Sequence, residues 1–188
     1  MEKMGVHKRD ILVDRVENAR DAQADAQVQF KDALEQFGSV VTLETTDLKE
    51  AYEKLNSEYK KSDEAAKEVS RRIEKVKSVA DDLFAEWEKE LGLYNNKALR
   101  DASARKLIET QKRYDEMLAS MHRVEKSMDP VLRTFRDNVL FLKHNLNAQA
   151  IGSLRSEFSG LKLKINVLIK NMNDAITNSN QFIENLNQ

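Results

Sequence analysis

DLKEAYEKLNSEYKKSDEAAKEVSRRIEKVKSVADDLFAEWEKELGLY, residues 47–94, is the stretch whose reading decides the fold. Its seam positions return in alternating steps of four and three: Leu48, Tyr52, Leu55, Tyr59, Ser62, Ala66, Val69, Ile73, Val76, Ala80, Leu83 and Trp87. A seven-residue period held over so many turns is the pattern of a helix packed along its length against other helices. At about 1.5 Å per residue the segment spans roughly 72 Å, far beyond a usual globular helix. Asp47 followed by Glu50 has the spacing of a capping pair and starts it. Gly92 and Asn95-Asn96 supply a turn after it.

Working outward, residues 97–146 repeat the rhythm through Leu107, Gln111, Tyr114, Leu118, Met121, Glu125, Met128, Leu132, Phe135, Val139, Leu142 and Leu146. The two stretches form a long helical hairpin turning at Tyr94-Asn95-Asn96-Lys97. The sole proline, Pro130, lies inside the second arm. Asp129-Pro130 would also suit a helix start, but the seam runs from Met128 to Leu132 without a phase change, which favours one helix kinked near residues 126–129. Upstream, Leu12, Val16, Ala19, Gln23, Ala26, Phe30, Ala33 and Phe37 mark a helix over 7–37, with Gly38 as its stop. Residues 39–46 are β-branched and read as a loop fastened by Val40, Val41 and Leu43. Downstream, a helix over 150–187 carries Ile151, Leu154, Phe158, Leu161, Ile165, Leu168, Met172, Ala175, Ser179, Phe182 and Leu186.

Four segments joined by short turns run up, down, up, down. The fold expected is all-α: a single domain over residues 1–188, an elongated antiparallel four-helix, coiled-coil-like bundle built on the hairpin. One proline, five glycines and 34% charged residues agree with long helices and disfavour a β-rich fold. The outer helices are shorter than the hairpin, at roughly 48 and 57 Å. The hairpin tip therefore needs explaining, because Leu83, Phe84, Trp87, Leu91, Leu93 and Tyr94 crowd its last turns. Local hairpin core accounts for part of this set. Contact with a second copy, an envelope protein or a membrane is the alternative.

Composition excludes much chemistry. A net charge of -1 carries no nucleic-acid footprint. The 16 basic and 22 acidic groups of residues 1–96 face 15 and 10 in the remainder, a balance suited to mutual packing. The absence of cysteine removes disulfides and thiolate metal sites. No apolar run approaches the ~20 residues of a membrane span. His7, His122 and His144 lack the Glu-x-x-His spacing of a di-iron bundle, and no phosphate-binding glycine loop or nucleophile elbow is present. His144 falls at a helix C-terminus, where a cation is favourable. Gln23, Gln111 and Glu125 are seam residues suited to fixing register. No catalytic, cofactor or metal residue is expected, and no enzyme.

Three dense blocks remain: EKMGVHKRDILVDRV at residues 2–16, LFAEWE at 83–88 and VLFLKHNLNA at 139–148. Together they resemble an uncharacterised family of Gram-negative bacterial proteins, a domain of unknown function, over essentially the whole chain. That family has no assigned activity, so the resemblance transfers no functional residue. Its members often begin with a secretion signal ending in a lipid-attachment cysteine shortly before the first block, a cysteine this chain lacks. The resemblance implies a periplasmic protein, lipid-anchored if such a segment precedes this chain; the sequence itself does not exclude the cytoplasm. The expectation is a non-enzymatic structural or interaction protein of the cell envelope, partnered by a second copy or an envelope protein. The alternative is a membrane-surface or curvature-sensing module using Arg133, Arg136, Lys162 and Lys164.

Overall fold

The computed structural model describes residues 2–42 and 47–188, with side chains described from Val6 onward. It contains four helices: α1 (Glu2–Thr42), α2 (Leu48–Leu91), α3 (Lys97–His144) and α4 (Ala148–Asn187). Each packs against its two sequence neighbours around a square, α4 closing onto α1, and no diagonal pair touches among the described residues. This is an all-α, antiparallel four-helix bundle.

Side chains reaching between helices fix the register. Gln29 donates to Glu58 at 3.0 Å between α1 and α2, and Ser70 to Glu125 at 2.8 Å between α2 and α3. Lys164 donates to Thr134 at 2.7 Å between α4 and α3, and Gln27 to Asn173 at 2.7 Å between α1 and α4. The core they enclose is mostly aliphatic along its middle, with Phe30 buried among the aliphatic side chains. An aromatic group closes each end: Phe37, Tyr59, Phe135 and Phe158 at one, Phe84, Tyr114 and Phe182 at the other. Every α1 seam residue from Leu12 to Phe37 is buried, and Ala19, Ala26 and Ala33 keep the neighbouring backbones close.

Three expectations need correction. First, α1 does not stop at Gly38. It continues to Thr42 because Val40 and Val41 extend the seam and are buried. Burial overrides the weak helix preference of Gly and β-branched residues. A Cβ on Gly38 would lie 3.0 Å from Cζ of Phe158, so glycine serves here to admit that ring. The final carbonyls of α1 are met by Thr42 Oγ1, 2.7 Å from the Gly38 oxygen, and by Arg155 Nε, 2.9 Å from that of Val41. Leu43, assigned to the same anchor, lies outside the described residues. The helix also begins at Glu2, five residues before His7.

Second, part of the α3 seam is displaced by one residue. Leu107, Tyr114, Met121, Met128, Phe135, Val139 and Leu142 are buried as expected. The alternate row is Thr110, Met117, Val124, Val131 and Asn138, while Gln111, Leu118, Glu125 and Leu132 are half-buried and Leu146 is exposed. A helix with a neighbour on each side buries a stripe wider than a two-stranded seam, so the row beside α2 stays partly open to water.

Third, α2 ends at Leu91, and Leu93 and Tyr94 belong to the turn. Gly92 and Leu93 donate to the carbonyls of Lys89 and Glu90, and Asn96 caps α3 by accepting from the Leu99 amide at 3.1 Å. Asp47 accepts from the Glu50 amide at 3.0 Å, as the spacing predicts. Asn147 caps α4 likewise, through Ala150. Pro130 sits within the uninterrupted α3. It and Lys126 are exposed, so water can meet the carbonyl that a proline nitrogen cannot serve.

Candidate interaction site

The six tip residues separate into two groups. Leu83 and Phe84 are buried, the latter edge-on to Tyr114 with centroids 5.4 Å apart. Trp87 and Leu91 are partly buried and pack on the core. The indole nitrogen of Trp87 donates to Ser103 Oγ at 2.9 Å, and the Arg9 guanidinium stands 5.6 Å from its ring centroid. Leu93 and Tyr94 project from the turn, 66% and 40% exposed. Four of the six are therefore hairpin core, and two form the exposed end.

The early start of α1 accounts for much of that burial. Lys8 is ion-paired with Glu86, whose carboxylate raises the lysine pKa, and Arg9 covers Trp87. Thus α1 clads α2 almost to the tip. On the opposite side Phe182 of α4 lies against Tyr114. Both outer helices are somewhat shorter than the hairpin arms, α1 with 41 residues and α4 with 40 against 44 and 48. Three further apolar residues are exposed in this region: Val6 on α1, and Leu99 and Ile108 on α3. Sequence inspection centred on α2 passed over them. The signal that could have found Val6 is its seven-residue spacing from Val13, which packs on the core.

Elsewhere the bundle carries a groove of about 760 Å³ between α2 and α3, with Ala66, Met128 and Leu132 as its apolar part and Lys67, Arg71 and Glu125 among its charged residues, and another of about 570 Å³ between α3 and α4 beside Phe141 and Leu154. Glu125 accepts from Ser70 and lies 3.0 Å from Nδ1 of His122, so this seam carboxylate is held by neighbours on two helices. Gln23 is wholly buried; its amide nitrogen donates to Ala19 and its oxygen has no partner. Gln111 is half-buried. Arg133 is paired with Asp129, whereas Lys164 is held by Thr134, so the four basic residues of α3 and α4 are partly committed to local contacts. Among the described residues no group of three His, Asp or Glu side chains could hold a metal ion. No described helix is long and apolar enough to cross a membrane.

A family model described as a protein of unknown function (DUF2959) matches residues 1–186. The chain belongs to that family. No curated protein matches it. In this DUF2959 chain the three dense sequence blocks occupy structurally distinct places. Residues 2–16 form the start of α1 beside the tip, 83–88 the α2 face that it covers, and 139–148 the α3–α4 corner at the far end. Two of the three DUF2959 blocks thus meet one another through Lys8–Glu86 and Arg9–Trp87.

Proposed function

We propose that this DUF2959 protein is a non-enzymatic spacer and interaction rod of the bacterial cell envelope, engaging its partner through the hairpin tip. The observation that carries the reading is the exposure of Leu93 and Tyr94 at the end of a rod whose other large apolar side chains mostly line its core. Exposed apolar side chains at the extremity of a long scaffold suit an end-on contact. The envelope location rests on the resemblance to a Gram-negative family whose members often carry a lipid-attachment signal, and such an anchor upstream of Met1 would hold α1, and with it this tip, near a membrane.

Cell fractionation combined with site-specific photocrosslinking tests both parts. A crosslinking residue at position 93 or 94 should give a discrete adduct in the envelope fraction. The same residue at Val28, equally exposed on α1, should give none. Recovery in the cytoplasm alone, or equal crosslinking from position 28, would overturn the proposal.

A further inference from the structure

The α3–α4 interface opens at the end of the bundle remote from the tip. Two rungs cross it in register: Asn171 donates to Ser127 at 2.5 Å, and one seven-residue step away Lys164 donates to Thr134 at 2.7 Å. The next step of seven sets Glu157 of α4 opposite Phe141 of α3. A phenyl ring offers a carboxylate no hydrogen bond, so this rung is unmade and both side chains are exposed. The groove of about 570 Å³ lies here, within the roughly 300–1,000 Å³ of small-ligand sites.

Its lining sets one aromatic ring among polar groups. Phe141 is 43% exposed. Asn138 is only 6% exposed; its amide nitrogen donates to the Thr134 carbonyl at 2.8 Å, and its oxygen accepts from no described residue. Thr134 thus holds Lys164 with its hydroxyl and Asn138 with its carbonyl, which orders both side chains before anything binds. Ser153 and Ser156 give their hydroxyl protons to carbonyls of α4, and their oxygens remain acceptors. Asp137 and Glu157 are the carboxylates of the lining and Lys164 is its cation. Arg133 and Arg155 are engaged elsewhere, with Asp129 and the Val41 carbonyl, and the exposed Arg136, Lys143 and Lys162 lie outside the lining.

We propose that this groove binds a neutral oligosaccharide, one sugar ring lying on Phe141 with its hydroxyls on Asp137, Asn138 and Glu157. A sugar ring presents a face of C–H groups, each slightly positive, which suits the negative face of an aromatic ring. Its edge carries hydroxyls that donate to carboxylate and amide oxygens and accept from an ammonium, and the lining supplies both kinds of partner. Two carboxylates against one ammonium disfavour anions such as phosphate esters. An apolar helix laid in the groove would strip water from Asp137, Asn138 and Glu157 and give them nothing in return. The site is separate from the tip and adds a small-molecule ligand to the rod.

Amide chemical shifts of the full chain provide the measurement. The protein is titrated with maltotriose, cellotriose and triacetylchitotriose, with inorganic phosphate and an apolar helical peptide as comparisons. At least one trisaccharide should give saturable shifts concentrated at residues 134–141 and 153–157, with none near Trp87. Phe141→Ala should weaken that binding by about tenfold, and Asp137→Asn by a similar factor. Phe141→Tyr should retain it, because any aromatic ring of that shape carries the stack. Leu140→Ala, at a neighbour of equal exposure outside the lining, should leave it unchanged. Circular dichroism checks the helicity of each variant.

Absence of saturable shifts with all three sugars would overturn the proposal. So would undiminished binding by Phe141→Ala, or an equal loss in Leu140→Ala. A response confined to phosphate or to the apolar peptide would refute it as well, making the groove an anion site or a protein contact.

Discussion

At the scale of single residues, glycine has two opposite meanings in this chain. Gly38 is surrounded: Phe158 occupies the space its side chain would take and stacks on Phe37 with centroids 5.9 Å apart. Gly160 faces open space on α4. Gly160→Ala should therefore raise stability by about 0.5–1 kcal/mol through helix preference alone. Gly38→Leu should lower it by about 1–3 kcal/mol by overpacking. Urea denaturation of the two variants checks both signs. Tyr114 offers a test of burial: desolvation, aided by the nearby Asp81 and Asp115 carboxylates, raises its phenol above the ordinary value of 10.0. Its folded-state pKa exceeds the unfolded one, so its contribution is intact below pH 10.0 and is lost as pH rises beyond it. The slope is at most about 1.4 kcal/mol per pH unit. Tyr114→Phe should flatten that alkaline limb in a pH series of melting curves while retaining the ring contacts with Phe84 and Phe182.

At the scale of elements, the ends of α1 depend on other helices. Arg155 reaches across from α4 to the Val41 carbonyl, so the last turn of α1 is held by a residue more than a hundred positions away. Arg155→Ala should cost about 1 kcal/mol. It should also speed amide exchange in the last turn of α1 far more than near Ala19, because helix ends open locally while the core opens only with the whole. Hydrogen-exchange mass spectrometry distinguishes this local fraying from general destabilisation. The buried Gln23 is the converse case, a polar side chain inside an otherwise apolar stretch of α1. Gln23→Leu should stabilise the bundle by about 1 kcal/mol, since it removes an acceptor that has no partner. A decrease in the urea midpoint would show that the amide is needed where it stands.

At the scale of the whole molecule, elongation is the property most open to measurement. A bundle about 72 Å long and two helices wide has a radius of gyration near 22 Å, against about 16 Å for a compact globule of equal length. Small-angle scattering at low concentration gives this directly, and a value near 16 Å would exclude the rod. Most of the architecture was legible in the sequence because one pattern, the seven-residue repeat, is both local and redundant. The seams of α1, α2 and α4 could be read residue by residue, from Leu12 to Phe37, Leu48 to Trp87 and Ile151 to Leu186, with Leu48, Tyr52, Tyr59, Trp87 and Phe158 left half-buried.

Less of the candidate site was legible. The sequence drew attention to residues 83–94 by crowding apolar side chains there, yet Leu83, Phe84, Trp87 and Leu91 face inward, while Val6 and Leu99 are left exposed. A helical period states which residues share a face; it does not state where the neighbouring helix ends. The sequence by itself determined four helices, their order and most of their buried faces, because periodic burial is written into each segment separately. Only the tertiary structure decided that α1 runs through Gly38, and that α3 buries Thr110 and Val124 in place of Gln111 and Glu125. Each of these depends on the relative positions of two or more helices, and such positions are set by packing between segments distant in the chain.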